Sequence, residues 1–185
     1  MASKIDIISQ ALILLGHDAI NSLTDPGRVV RVAASLYDQV KEEELTSSNW
    51  SFARFKVQLA QLTTAPIDEF TYAYQLPSDH LKTLFIKPRV RFKKYQDKIY
   101  TNANGPIYLD YIANVSESRF DPSFTRMLSL SLAANYAIPI REGFTTSQLL
   151  EQRYMKARNR ATQADSSQQT QDRIVSNPFI AARYG

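Results

Sequence analysis

VKEEELTSSNWSFARFKVQL, residues 40–59, holds a change of period from which the rest of the chain can be read. Up to Leu45 the apolar residues fall at helical spacing, with Val40 closing a series that begins at Val29 and runs through Ala33 and Leu36 or Tyr37. From Trp50 the spacing becomes alternating. Phe55, Val57 and Leu59 point one way while Arg54, Lys56 and Gln58 point the other, the pattern of a half-buried strand. The helix before the change is expected to start at Asp25-Pro26, an N-cap acceptor followed by proline at the first helical position, and to run to about Thr46. Glu42, Glu43 and Glu44 then sit near its C-terminus, where the helix dipole disfavours negative charge unless cations lie close. Further upstream, Ser3 with Asp6 reads as a relative of the capping box. Ile5, Ile8, Leu12 and Leu15 continue as a short first helix that stops at Gly16.

Downstream of residue 59, Phe70 to Leu76 is rich in β-formers and stops at Pro77, after which Ser78-Asp79-His80-Leu81 reads as a single helical turn. Leu84 to Lys87, Val90 to Tyr95, Lys98 to Thr101 and Ile107 to Ile112 are further strands. Gln96-Asp97 and Asn102 to Gly105 are their hairpin loops, giving one small antiparallel sheet. Asp121-Pro122 repeats the earlier start signal, and Phe124, Met127, Leu128, Ser131, Leu132 and Ala134 form a broad apolar face on a helix expected to end before Pro139. A last long helix is expected from about Thr145, with Leu150, Tyr154, Ala157, Ala161 and Ala164 as its buried stripe. Beyond Asp165 the run Ser166 to Gln171 is polar and low in complexity, and the tail that follows carries isolated apolar residues with no length left to build a core. The fold class is therefore α+β, mainly α: about four helices, a small antiparallel β segment between the second and third, and an extended C-terminal tail.

Composition limits the function. With 44% hydrophobic and 22% charged residues over 185 positions, the chain can bury a core of its own as one domain. The absence of cysteine excludes disulfides, thiolate zinc sites and cysteine nucleophiles. Met1 to Asp6 does not open a signal peptide, and no apolar run approaches the roughly 20 residues of a membrane span, so a soluble protein without membrane contact is expected. A net charge of +4 permits nucleic acid or an acidic partner without demanding either.

Catalytic groupings are sparse. His17 and His80 stand without a Ser, Asp or metal-ligand partner at useful spacing, and there is no GxxxxGK[ST] loop. Glu42 to Glu44, or Asp68 with Glu69, could supply two carboxylates for glycoside cleavage, but adjacent acids on a helix diverge and more often form a solvated face. Trp50 and Phe52, at a helix-to-strand junction, are expected to close the core rather than to bind a ligand. The stretch from Lys87 to Lys98 is basic. On a strand, Arg89, Arg91 and Lys93 share one face and Val90 and Phe92 the other, with Lys94 and Lys98 adding charge. Such a ribbon can touch phosphates, guard an edge strand, or meet acids such as Glu42 to Glu44 on a neighbouring subunit. The last two readings are preferred, because no nucleic-acid-binding motif accompanies the charge.

An ordered series of these motifs resembles the tail tubular protein A family, the head-to-tail adaptors of short-tailed phages. The series comprises the Ile5 to Gly16 helix, Asp25-Pro26, Ala33 to Leu45, Asn49-Trp50-Ser51-Phe52-Ala53, Tyr74 to Asp79, Tyr108 to Asn114 and Phe120 to Phe124 before an alanine-rich helix, and it covers roughly residues 4 to 164. The resemblance implies a helical bundle in two parts, residues 1–49 and 116–165, with an inserted β domain at 50–115 and a portal-docking tail at 166–185. It also implies a twelvefold ring beneath the portal protein, with DNA passing through the centre, the β side meeting the tail nozzle protein, and no enzymatic role or cofactor. The protein would be made in the host cytoplasm and reside in the virion tail. On this reading Ile174, Val175, Phe179, Ile180, Arg183 and Tyr184 dock on the portal, rather than folding back on their own bundle. Arg89, Arg91, Lys93, Lys94 and Lys98 would make subunit contacts or non-specific contacts with DNA in the channel. A connector of a long-tailed phage, and a small DNA-binding or lytic accessory protein, are the alternatives.

Overall fold

The computed structural model of the chain describes residues 2–64, 66, 69–140 and 144–168. Among them are four α-helices and seven strands in the order α1 (Lys4–Leu14), α2 (Arg28–Ser47), β1 (Arg54–Gln58), β2 (Ala60–Gln61), β3 (Tyr72–Gln75), β4 (His80–Lys87), β5 (Phe92–Tyr95), β6 (Lys98–Thr101), β7 (Tyr108–Ala113), α3 (Pro122–Ile140) and α4 (Phe144–Ser167). The class is mixed α and β, as expected, with all strand pairing antiparallel.

Helix α1 begins with the capping box that Ser3 and Asp6 foretold: the Asp6 N–H donates to the Ser3 hydroxyl at 3.2 Å and the Ser3 N–H to the Asp6 carboxylate at 2.9 Å. These bonds hold the Asp6 carboxyl below its usual range. The helix closes at Gly16, whose φ of +84° is a conformation that a side chain would strain. Helix α2 starts later than Asp25-Pro26 suggests. Gly27 is its N-cap, and the Asp25 carboxylate accepts instead from the N–H groups of Ser22 and Asn21, at 3.0 and 3.3 Å, which turns the loop ahead of the helix. Its C-terminal end is met by a cation from the sheet, since Lys82 donates to the Thr46 carbonyl at 3.1 Å.

Two sheets stand where one was expected. The first has strand order β1-β7-β4 and the second β2-β3-β6-β5. Leu59, 5% exposed, is the single residue between β1 and β2, and the chain changes sheets there. The Asn102 to Gly105 loop likewise leads from β6 in one sheet to β7 in the other, so it is a crossover and not a hairpin, whereas Gln96-Asp97 does join paired strands. Ser78 to Leu81 is no helical turn: the chain turns at Ser78 and Asp79 and enters an eight-residue strand at His80. Arg89 and Arg91 precede β5 rather than lying in it.

Helix α3 is the hub of the helical part. It packs against α1, α2 and α4, with Phe124, Met127, Leu128, Leu132, Ala133 and Tyr136 buried. It passes through Pro139, which has no N–H to offer the Asn135 carbonyl, and ends one residue later rather than before the proline. The α4 stripe holds at Leu150 and Ala161 but moves from Ala164, which is exposed, to Asp165, which is buried. At 3.6 residues per turn the core face has drifted by one position, and the Asp165 carboxylate accepts from the Ser51 hydroxyl at 2.6 Å and its N–H at 2.8 Å. Trp50 and Phe52 do close the core. Trp50 is 1% exposed, packs edge-on to Phe124 at 5.0 Å, and donates its indole N–H to the Glu44 carbonyl at 2.8 Å.

No helix among the described residues is long and apolar enough to cross a membrane.

Candidate interaction surfaces

Of the basic stretch, Lys93 and Lys94 lie on β5, an edge strand of the second sheet, with Arg89 and Arg91 ahead of it and Lys98 in β6. Arg91 and Lys93 both form ion pairs with Glu69 while lying over the Phe70 ring. That pairing holds Lys93 above its usual pKa through the hydrogen bond to Glu69. Their charge is therefore partly spent within the chain. Lys94 is on the opposite face from Lys93; burial, and after it the Lys94 charge, depresses the His80 pKa. Arg89 lines a shallow basin of about 740 Å³ with Arg54, Lys87 and Phe85, and the Arg54 and Lys87 cations sit over the Phe85 ring. Lys98 is half-buried in β6 opposite Tyr95. An edge strand lined with lysine resists pairing with other chains, which fits the edge-guarding reading of this ribbon.

The acidic run of α2 does not form one face. Glu44 is 4% exposed and accepts from the Ser131 hydroxyl at 2.6 Å and the Tyr154 hydroxyl at 3.1 Å, joining α2 to α3 and α4. It is unavailable to a neighbouring subunit, which corrects that part of the expectation. Glu42 and Glu43 stay exposed, and Glu42 accepts from the Asn114 amide at 3.2 Å. Burial pushes the Glu44 carboxyl up, against the lowering effect of its two hydroxyl donors. An acid whose folded pKa is raised favours the native state when protonated, so its contribution falls as pH rises from about the ordinary value of 4.5 through the folded pKa. Glu44→Gln should flatten that part of the stability curve. The check is the difference between wild-type and variant urea midpoints across this range, because His80, with its lowered pKa, contributes with the opposite sign in both proteins.

Among the described residues, the carboxylates considered for glycoside cleavage are not assembled into a pair. Glu44 is turned inward, Glu69 is held by Arg91 and Lys93, and Asp68 lies outside the described residues. Among the described residues no group of three or more His, Asp or Glu is placed to hold a metal ion. His80 bonds the Thr83 hydroxyl at 2.8 Å and stacks on Tyr111, which anchors the start of β4. Ile174, Val175, Phe179, Ile180, Arg183 and Tyr184 lie outside the described residues.

No family model matches the chain, and neither does any curated protein.

A second surface, which the sequence reading missed, lies between α1, α3 and α4. It is a groove of about 640 Å³ with an apolar floor of Ile13, Leu14, Leu130 and Ala157. Arg126, Arg153, Lys156 and Arg160 line it, and none of them forms an ion pair among the described residues. Ile13 is 55% exposed and Leu14 39%. Part of this surface was legible in α4, where Arg153, Lys156 and Arg160 recur at the three, four spacing of one helix face, with Leu149 one turn before them. The share contributed by α1 and α3 depends on tertiary packing and left no local signal.

Proposed function

We propose that the chain is a structural protein of a tailed-phage particle, a ring-forming adaptor of the tail tubular protein A type that links the portal protein to the tail nozzle protein. The observation that carries this reading is the pairing of β1 with β7. Arg54 lies opposite Ile112 and Gln58 opposite Tyr108, so the chain returns from its β excursion to the place where it left the helices. Helices before and after the excursion then meet on α3. This supports, as part of the proposal, the arrangement the motif series implies: a helical bundle in two parts, 1–49 and 116–165, with 50–115 inserted between them. Among the described residues, inward carboxylates have structural partners, as in Glu44 with Ser131 and Tyr154, Asp110 with Arg54, and Glu117 with Lys41 and Tyr37, which supports a non-enzymatic role.

In the assembled particle, twelve copies surround the DNA channel beneath the portal. The tail from Ile174 to Tyr184 docks on the portal surface, its apolar residues acting as anchors on an otherwise polar segment. Non-specific contact with passing DNA falls to Arg89, Lys94 and Lys98, since Arg91 and Lys93 share Glu69. Mixing the purified chain with the portal protein of the same virus should give rings visible by electron microscopy, and deletion of Ile174 to Gly185 should abolish the association. A truncated chain that still joins the portal would refute the docking role of the tail. Failure of the intact chain to form rings on the portal would refute the adaptor reading itself.

A further inference from the structure

The ring reading leaves open which surfaces of adjacent copies meet, and two surfaces of this chain are complementary. On α4, Leu149, Arg153, Lys156 and Arg160 follow one another at positions i, i+4, i+7 and i+11, apolar at one end and basic at the other. Ile13 and Leu14 extend the apolar part across the groove. On α2, Val32, Leu36, Gln39 and Glu43 have the same spacing, with two half-buried apolar residues at one end and exposed polar and acidic residues at the other. Glu42 lies beside Glu43, and among the described residues its carboxylate accepts from the neutral Asn114 amide alone. The one cation in this half of α2, Lys41, is buried and held by Glu117, and Lys82 reaches the Thr46 carbonyl rather than these carboxylates. Among the described residues, the charge on each stripe is thus unmatched.

We infer that the α2 stripe of one copy docks in the α1/α3/α4 groove of the next, apolar end to apolar end and acid to base. The inference rests on the self-association in the adaptor reading. A chain cannot make this contact with itself, because α2 packs on α3, with the Tyr136 hydroxyl donating to the Ala33 carbonyl at 2.8 Å, and lines no part of the groove. Each copy therefore offers its groove to one neighbour and its α2 to the other. That is a heterologous contact, and it closes into a ring when the rotation between copies permits. The apolar floor argues for a protein occupant over a phosphate backbone, since exposed apolar surface beside unpaired cations is better buried by a stripe of the same mixed character.

The cysteine-free chain makes the test clean. Two single variants, Glu43→Cys and Lys156→Cys, are mixed at high protein concentration and low salt and treated with a bifunctional maleimide. The expected result is a covalent heterodimer whose yield falls with added salt. Arg153→Glu with Arg160→Glu in the K156C partner should cut that yield about tenfold, and Glu42→Lys in the E43C partner should restore part of it. Absence of the heterodimer overturns the contact. So does K156C linking to itself as readily as to E43C, which would mean that groove meets groove, and so does a yield indifferent to the charge reversals. Rings on a portal without this link would sink the contact and leave the adaptor reading, whereas the link without rings on the portal would sink the adaptor reading and leave the contact.

Discussion

Replacing Trp50 with alanine should lower the free energy of unfolding by about 3 to 5 kcal/mol, the range for deleting a large aromatic from a packed core. Trp50 is 1% exposed, so little of the lost packing can be recovered from solvent. Its ring meets Phe124 at 5.0 Å and Phe52 at 6.0 Å, and Phe52 and Phe120 in turn lie 4.9 and 4.8 Å from Phe124. The cluster joins the end of α2, the start of β1 and the start of α3, so a cavity there loosens the junction between helices and sheets. The indole N–H bond to the Glu44 carbonyl adds a separate effect: Trp50→Phe keeps most of the ring but drops the donor, with an expected loss nearer about 1 to 2 kcal/mol. For a domain whose total stability is of order 5 to 15 kcal/mol, the alanine variant is expected to be partly unfolded in mild urea. Urea midpoints for both variants decide the point. An alanine variant as stable as the phenylalanine variant would mean that the ring contacts contribute little.

The junction around Trp50 was legible because two periods collide there and because aromatic residues at such a joint have few other places to go. Ser3 with Asp6 and the glycine stop at Gly16 were legible for a related reason: capping chemistry is local and depends on residues three or four apart. Non-local geometry was not. The single residue Leu59 carries the chain from one sheet to the other, and nothing in the Phe55, Val57, Leu59 alternation marks the change of partner. Asp25-Pro26 had the form of a helix start, yet the Asp25 carboxylate found loop N–H groups first. Both candidate surfaces divide along the same line. The basic stretch was visible as composition, but the pairing of Arg91 and Lys93 with Glu69 comes from a residue more than twenty positions upstream. The groove draws on three helices, only one of which shows a pattern in its own sequence.

The inward ion pair at Glu117 should be the second large lever on stability. One of its carboxylate oxygens accepts from the Lys41 ammonium at 3.1 Å and the Tyr37 hydroxyl at 3.2 Å, tying α2 to the turn that leads from β7 into α3. Lys41 is 8% exposed, so Glu117→Ala leaves a buried cation without a counter-ion and is expected to cost about 3 kcal/mol. Most of that cost comes from the orphaned charge rather than from the pair itself. Lys41→Met combined with Glu117→Leu should therefore be less destabilised than Glu117→Ala alone, although the Tyr37 hydroxyl then loses its acceptor. The pH dependence has a definite sign. Burial alone pushes the Glu117 carboxyl up, but hydrogen bonds from backbone, Lys41 and Tyr37, with the Lys41 charge, hold it below the ordinary value of 4.5. For such an acid, the stabilisation is complete above the unfolded-state pKa and is lost as pH falls through the lower folded-state value. Wild-type protein should consequently lose more stability than Glu117→Gln on going from neutral pH to below the ordinary carboxylate range. Parallel curves for the two proteins would show that the Glu117 carboxylate is not held by this pair.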